Sequence, residues 1–248
     1  MYVIGYVLGV AVAKRRVRRG AVPFDESAID SLVAYLVIGM LLGARLFYVF
    51  IYDREHYLTK PLDALKIWHG GLSFHGAAFG MAVACFVFAR RHRVPFLSVA
   101  DTVALASPPG LFFGRIGNFI NGELYGRATD VPWAMIFPTD ALHIPRHPSQ
   151  LYEALCEGAL LFLVLILVER RAIRGGWYRN GLLTGAFLLG YGLIRYLIEF
   201  TRQPDAQLGF VLGPFSMGQV LSSLMLVIGC VVIARAYRRS SVVGQFQR

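Results

Sequence analysis

Long apolar stretches joined by short polar loops constrain this chain more than any other feature. They fall at about 2–13, 31–52, 72–89, 97–113, 151–168, 182–199 and 211–234. A helix of ~20 apolar residues crosses a hydrocarbon core of ~30 Å, and most of these stretches approach that length. The runs are continuous rather than alternating, which argues against a membrane β-barrel. Composition agrees: 56% of the 248 residues are hydrophobic, only 16% are charged, and the mean hydropathy is +0.54. A soluble domain carries about 25% charged residues. The expectation is an all-α polytopic membrane protein of about seven transmembrane helices, forming a single domain over residues 1–248.

The net charge of +10 raises the question of nucleic acid, but its placement answers it. With the first helix entering from outside, the inner loops 14–30, 90–96, 169–181 and 235–248 hold 16 of the 25 lysines and arginines. The outer loops hold seven, and Arg45 and Arg195 fall within spans. That asymmetry is the positive-inside pattern, with the amino end outside and the carboxyl end cytoplasmic. The basic excess is therefore a topology signal, and no nucleic-acid partner is expected.

The first run, MYVIGYVLGVAVA, reaches only roughly 20 Å at 1.5 Å per residue and cannot span alone. The cluster KRRVRR follows its apolar part, the reverse of a signal peptide. The expectation is that the chain as given begins inside a longer helix, its first span truncated. Cys85, Cys156 and Cys230 each lie in an apolar run, with no CxxC pair or metal-ligand spacing. They read as small core residues, so neither a disulfide framework nor a metal site is expected.

Against this apolar background, GRIGNFINGELYGR (114–127) concentrates charged and amide groups where they are costly. It follows SPPG (107–110), whose adjacent prolines predict a broken, re-entrant segment around 107–127 with Arg115 just beyond the break. Arg115 needs a counter-charge, and Glu123 or an anionic ligand is expected to supply it; the bland reading is an internal salt bridge.

Three further stretches collect polar groups. In GGLSFHG (70–76) the glycines permit tight turns, Ser73 is a candidate cap, and His75 sits at the mouth of the next helix. Gly76, Gly80 and Ala84 recur every fourth residue, a face for close helix packing. In RYLIEFTRQPD (195–205), Arg195 and Glu199 share a helix face, whereas Arg202 and Asp205 read as solvated outer-loop residues. In HPSQLYEA (147–154), Ser149 or His147 is expected to cap the fifth long helix, and Gln150, Tyr152 and Glu153 offer groups to a polar pocket. Together these predict an outward-facing intramembrane cavity suited to a phosphate-bearing ligand. The residues alone leave an enzyme, a lipid-binding protein and a transporter of anionic lipids or organophosphates open.

GRIGNFINGELYGR closely resembles the signature of the bacterial prolipoprotein diacylglyceryl transferases, and GGLSFHG, HPSQLYEA and RYLIEFTRQPDAQLG resemble that family's other motifs in the same order. The resemblance runs from Tyr2 to about Gln219. It implies an inner-membrane transferase that moves the diacylglyceryl group of phosphatidylglycerol onto the lipobox cysteine of a preprolipoprotein, releasing glycerol 1-phosphate. No cofactor or metal is implied; the partners are phosphatidylglycerol, lipobox peptides and membrane lipids. The catalytic residues it implies are His75 as thiol base, Arg115 and Arg195 at the phosphate, and Glu199 holding Arg195. Asn118, Asn121, Glu123 and Gly126 are implied for substrate binding. Two departures stand out: Ala77 replaces a glycine, and the tyrosine-glycine pair that the family carries ahead of the position of Met1 has no counterpart. An inactive shortened form is the reading that this second departure allows.

Overall fold

A computed structural model describes residues 1–66, 68, 70–203, 210–212 and 215–238. Asp205, expected in a solvated loop, lies outside them. Among the described residues the chain is helical apart from a short antiparallel hairpin, β1 (Phe210–Leu212) with β2 (Phe215–Ser216). The helices are α1 (Tyr2–Arg18), α2 (Ser27–Phe47), α3 (Arg54–Thr59), α4 (Phe74–Arg91), α5 (Phe96–Ile120), α6 (Ser149–Glu153), α7 (Leu161–Arg174), α8 (Leu182–Ile198) and α9 (Met217–Arg238). A π-helical turn extends α2 to Tyr52, and another, Ala154–Leu160, joins α6 to α7. Among the described residues, four stretches are long and apolar enough to cross a membrane: Ser27–Tyr52, Phe96–Ile120, Ser149–Arg174 and Met217–Arg238. The 17-residue α8 is a shorter apolar helix. The chain divides into two compact units, one of residues 16–100 and one of residues 1–15 with 101–248.

In the unit of residues 16–100, α2 and α4 pack through glycine. A methyl on Gly39 would stand 2.6 Å from the Gly80 carbonyl and 2.7 Å from Ala84 Cβ, and one on Gly43 would collide with the Gly76 carbonyl. The small-residue face read from Gly76, Gly80 and Ala84 is therefore what lets the two backbones touch. Ser73 caps α4, its Oγ accepting the Gly76 N–H at 3.2 Å. Ahead of that cap, buried Arg45 donates to the carbonyls of Ala64 (2.8 Å), Gly70 (2.7 Å), Gly71 (3.0 Å), Asp63 (2.6 Å) and Lys66 (3.3 Å). A guanidinium presents five N–H donors in a rigid fork, and here every nitrogen serves the backbone of one loop.

In the other unit, the expected break at 107–110 does not occur: α5 runs through Pro108 and Pro109 without interruption, and Arg115 lies inside the helix. Prolines remove two N–H donors, but protein packed around the site compensates for them. Both prolines are buried, Ser107 Oγ donates to the Val103 carbonyl at 2.7 Å, and α1 presses against this stretch. A methyl on Gly5 would come within 3.0 Å of Gly110 Cα, and one on Gly9 within 3.0 Å of the Ala106 carbonyl oxygen. Irregular chain begins only at Asn121. There Gly122, at φ +69°, turns out of α5 in the left-handed conformation that closes helices. The core of this unit joins Leu105, Leu161, Leu165, Tyr178 and Leu183.

Candidate active site

Three arginines distant in sequence meet one carboxylate. Glu153, the last residue of α6, is fully buried and pairs with Arg115 from α5, Arg195 from the end of α8, and Arg202 just beyond it. Arg195 reaches Glu153 Oε1 at 3.3 Å and Glu199 Oε2 at 3.0 Å, and Arg202 Nε lies 3.5 Å from the same Glu199 oxygen. Glu199 Oε1 accepts from Ser216 Oγ at 2.9 Å. Glu157, one π turn after Glu153, is also fully buried and stands 4.0 Å from Arg195. Three guanidinium groups therefore face three carboxylates, and the arginine side chains keep 12–19% of their surface open while Glu153 and Glu157 keep none. Such a cluster, in a low-dielectric setting, can trade carboxylate contacts for an anionic ligand at little net cost in charge.

The segment after α5 locks this cluster to the loop that follows α8. Arg127 donates from Nε to the Arg202 carbonyl at 2.6 Å and from its backbone N–H to Thr201 at 2.9 Å. Gly126 packs so tightly that a methyl there would collide with the Thr201 carbonyl and come within 2.8 Å of His147 Cβ. Deeper in the loop, Arg146 clamps Asp140 through two bonds of 2.6 and 3.0 Å and lies 4.9 Å over the Tyr125 ring. The Arg146 bond is the main cause holding the Asp140 carboxyl down at about 2.

The residues predicted from sequence distribute as follows. Arg115, Arg195 and Glu199 join the cluster directly. Glu123 does not pair with Arg115, because Glu153 occupies that guanidinium. Instead Glu123 accepts from Asn118 Nδ2 at 2.8 Å and Asn121 Nδ2 at 3.2 Å, bonds that hold its carboxyl below the usual range. These two asparagines and Glu123 form their own amide–carboxylate knot at the end of α5. His75 belongs to the other unit, where its Nδ1 lies 3.3 Å from the Tyr52 hydroxyl. Neither Ser149 nor His147 caps α6, which follows Pro148 without a side-chain cap. Ser149 Oγ donates to the Leu124 carbonyl at 3.1 Å and Gln150 Nε2 to the Glu123 carbonyl at 2.7 Å. Those bonds tie α6 to the signature loop, and capping α6 would compete for the same hydroxyl.

Arg202 corrects the reading from sequence: it is not a solvated loop residue but the third arginine of the cluster. Asp101 escaped the sequence reading altogether. Fully buried, it accepts from Tyr178 Oη (2.7 Å), Gly181 N–H (2.9 Å), and Thr184 N–H and Oγ1 (2.8 and 2.6 Å). It thus caps α8 from another helix and fixes the rod that carries Arg195. The one available signal was an acidic residue inside an apolar run, a position at which a partner is always required.

A model of the prolipoprotein diacylglyceryl transferase family matches residues 1–235. The chain is 49% identical over 246 residues to a phosphatidylglycerol–prolipoprotein diacylglyceryl transferase of Methylocella silvestris, an alignment covering 97% of this chain and 89% of the relative. It is 48% identical to the enzyme of that name from Azospirillum brasilense (98% and 90% covered) and 44% identical to that of Geobacter sulfurreducens (96% and 90%).

Proposed function

Because the chain belongs to the prolipoprotein diacylglyceryl transferase family, we propose that it transfers the diacylglyceryl group of phosphatidylglycerol to the lipobox cysteine of preprolipoproteins. The thiol sulfur forms a thioether bond to the glyceryl carbon, and the carbon–oxygen bond to phosphate breaks. Glycerol 1-phosphate departs, and the thiol proton passes through a base to solvent or to the departing phosphate. The observation that carries this reading within the site is the convergence of Arg115, Arg195 and Arg202 on buried Glu153. Guanidinium forks match phosphate oxygens in geometry and stabilise the charge that develops as the phosphate leaves.

In this reading His75 accepts the thiol proton. A free thiol titrates near 8.5, so a base assists it at neutral pH. The contact of Nδ1 with the Tyr52 hydroxyl orients the His75 ring for that role. Arg115 and Arg195 hold the phosphate and Glu199 positions Arg195. Asn118, Asn121, Glu123 and Gly126 shape the substrate side of the same loop. The chain acts as one transferase domain crossing the inner membrane seven times, amino end outside and carboxyl end cytoplasmic, with a polar cavity toward the outer face.

The test combines the purified protein, phosphatidylglycerol in detergent micelles and a peptide bearing one lipobox cysteine. Mass spectrometry is expected to show the peptide gaining a diacylglyceryl group in step with release of glycerol phosphate. Unmodified peptide beside bound lipid would overturn the reading in favour of a lipid-binding protein or transporter. His75→Asn is expected to abolish most turnover, and a variant that turns over normally would remove His75 from the mechanism.

A further inference from the structure

The arginine cluster contains one carboxylate that its own chemistry does not use. Glu153 takes all three arginines and Glu199 takes two of them together with Ser216. Glu157 is fully buried, and among the described residues neither of its oxygens has a hydrogen-bond partner. Native proteins rarely leave a buried carboxylate without donors, because desolvation is then uncompensated. The nearest cation, Arg195 Nη1, is 4.0 Å from Glu157 Oε1, too far for a hydrogen bond. That separation is one a single hydroxyl oxygen bridges, accepting from the guanidinium and donating to the carboxylate at roughly 2.8 Å each.

The local backbone sets this arrangement up. Glu157 sits in the π-helical turn Ala154–Leu160, which interrupts an otherwise α-helical span. π-bulges recur at functional sites because they redirect side chains that a regular helix would aim elsewhere. The turn is seated against α5, where a methyl on Gly158 would come within 2.7 Å of Phe112 Cα, one turn before Arg115. Another acceptor on the same helix has neither a hydrogen bond nor an ion pair among the described residues: Gln150 Oε1, which is buried. Gln150, Glu153 and Glu157 stand at i, i+3 and i+7, so the helix carries a row of buried acceptors with the phosphate-binding arginines at its centre.

We propose that Glu157 is a headgroup-selecting residue, its carboxylate accepting a hydroxyl of the terminal glycerol of phosphatidylglycerol while the arginines hold the adjacent phosphate. The inference rests on the function proposed above and names the part of the substrate that function leaves unread. The two glycerol hydroxyls lie one and two carbons from the phosphoester carbon, so a phosphate held by Arg195 carries a hydroxyl within reach of the 4.0 Å gap between Arg195 Nη1 and Glu157 Oε1. An ammonium headgroup would meet the same carboxylate only by standing beside three guanidinium groups, which like-charge repulsion opposes. A headgroup without hydroxyls leaves Glu157 unpaired, the situation in which sites built for a hydroxyl discriminate most strongly.

Phosphatidylpropanol isolates the effect, since it has the same charge and diacylglyceryl group as phosphatidylglycerol but no headgroup hydroxyl. Transfer from both lipids would yield the same thioether peptide. The wild-type protein is expected to prefer phosphatidylglycerol in kcat/KM by about tenfold to a hundredfold, the range of one or two hydrogen bonds to a charged group. Glu157→Met, similar in volume and without an acceptor, is expected to reduce that preference to within about twofold. Equal use of both lipids by the wild type, or full preference retained by the variant, would overturn the proposal. Should Glu157→Met not fold, Glu157→Gln keeps the shape with a neutral acceptor and is expected to lose part of the preference; an unchanged ratio counts against the proposal. Absence of transfer from either lipid would instead strike the proposed function. Retention of the two lipids by the wild type in native mass spectrometry then decides the headgroup question, equal retention overturning it.

Discussion

Arg202 lies 49 residues beyond Glu153 in the chain and bonds directly to its carboxylate. That single pair joins the loop after α8 to the start of the α6–α7 span, and Arg115 completes the junction from α5. The site is thus an electrostatic knot tied by one buried acid, and its consequences can be measured.

Replacing Glu153 with glutamine leaves three guanidinium groups around a neutral amide. Breaking a buried ion pair from one side costs about 3–5 kcal/mol, because the partner charge stays buried. The expected outcome is a lower thermal midpoint in detergent and transfer activity reduced at least about tenfold. Added phosphatidylglycerol should recover part of the midpoint by supplying an anion to the freed arginines. A variant as stable and active as the wild type would show that the three contacts carry no weight.

Gly126→Ala tests packing rather than charge. The new methyl meets the Thr201 carbonyl and His147, all of them backbone or backbone-proximal, so the bridged loop segments must separate. Overpacking of this kind costs about 1–3 kcal/mol and here displaces the backbone that carries Arg202. Activity is expected to fall more than stability; comparing transfer rate with thermal midpoint in the same preparation checks this.

Asp101→Asn keeps the size of the side chain but replaces one of two acceptor oxygens with a donor facing N–H groups. Asp101 accepts four hydrogen bonds, so the loss is expected to be about 2–3 kcal/mol, with a lower melting midpoint. Asp101→Glu should fare no better, because a longer arm cannot serve the same start of α8. An unchanged midpoint for the asparagine variant would contradict the capping role.

The loop between α5 and α6 carries a pH dependence of defined sign. Asp140 is held at about 2 in the folded protein against an ordinary 3.8, chiefly by the Arg146 bond. A depressed carboxyl contributes stability that is present above its unfolded value and is lost as pH falls through the folded one. The loop around Trp133 should therefore keep its structure at pH 5 and loosen between about pH 4 and pH 2. Tryptophan emission of a variant retaining only Trp133 reads this directly, and Asp140→Asn should behave at neutral pH as the wild type does in acid.

Much of the architecture was legible in the residues. Among the described residues the apolar runs fall largely in helices, because a helix satisfies its own backbone within apolar surroundings; the last run is the exception, opening in the β1–β2 hairpin before α9 begins at Met217. Ser73 caps α4 and the Gly76–Gly80–Ala84 face packs against α2, because both follow from local spacing. The expected break at Pro108–Pro109 did not follow: proline chemistry is local, but the packing of Gly5 and Gly9 that shelters the helix is not. The same distinction runs through the site. Arg115, Arg195 and Glu199 declared themselves as charges inside apolar sequence, whereas Arg202 sat among loop residues and looked solvated.

From the sequence alone came the membrane setting, the family resemblance and the kinds of group the chemistry needs, since hydropathy, charge and motif are properties of residues in order. Only the tertiary structure decided that Glu153 rather than Glu123 partners Arg115, that Arg202 belongs to the cluster, and that Glu157 has no hydrogen-bond donor among the described residues. Ion pairing is set by distance and burial, and those arise when segments tens of residues apart pack against one another.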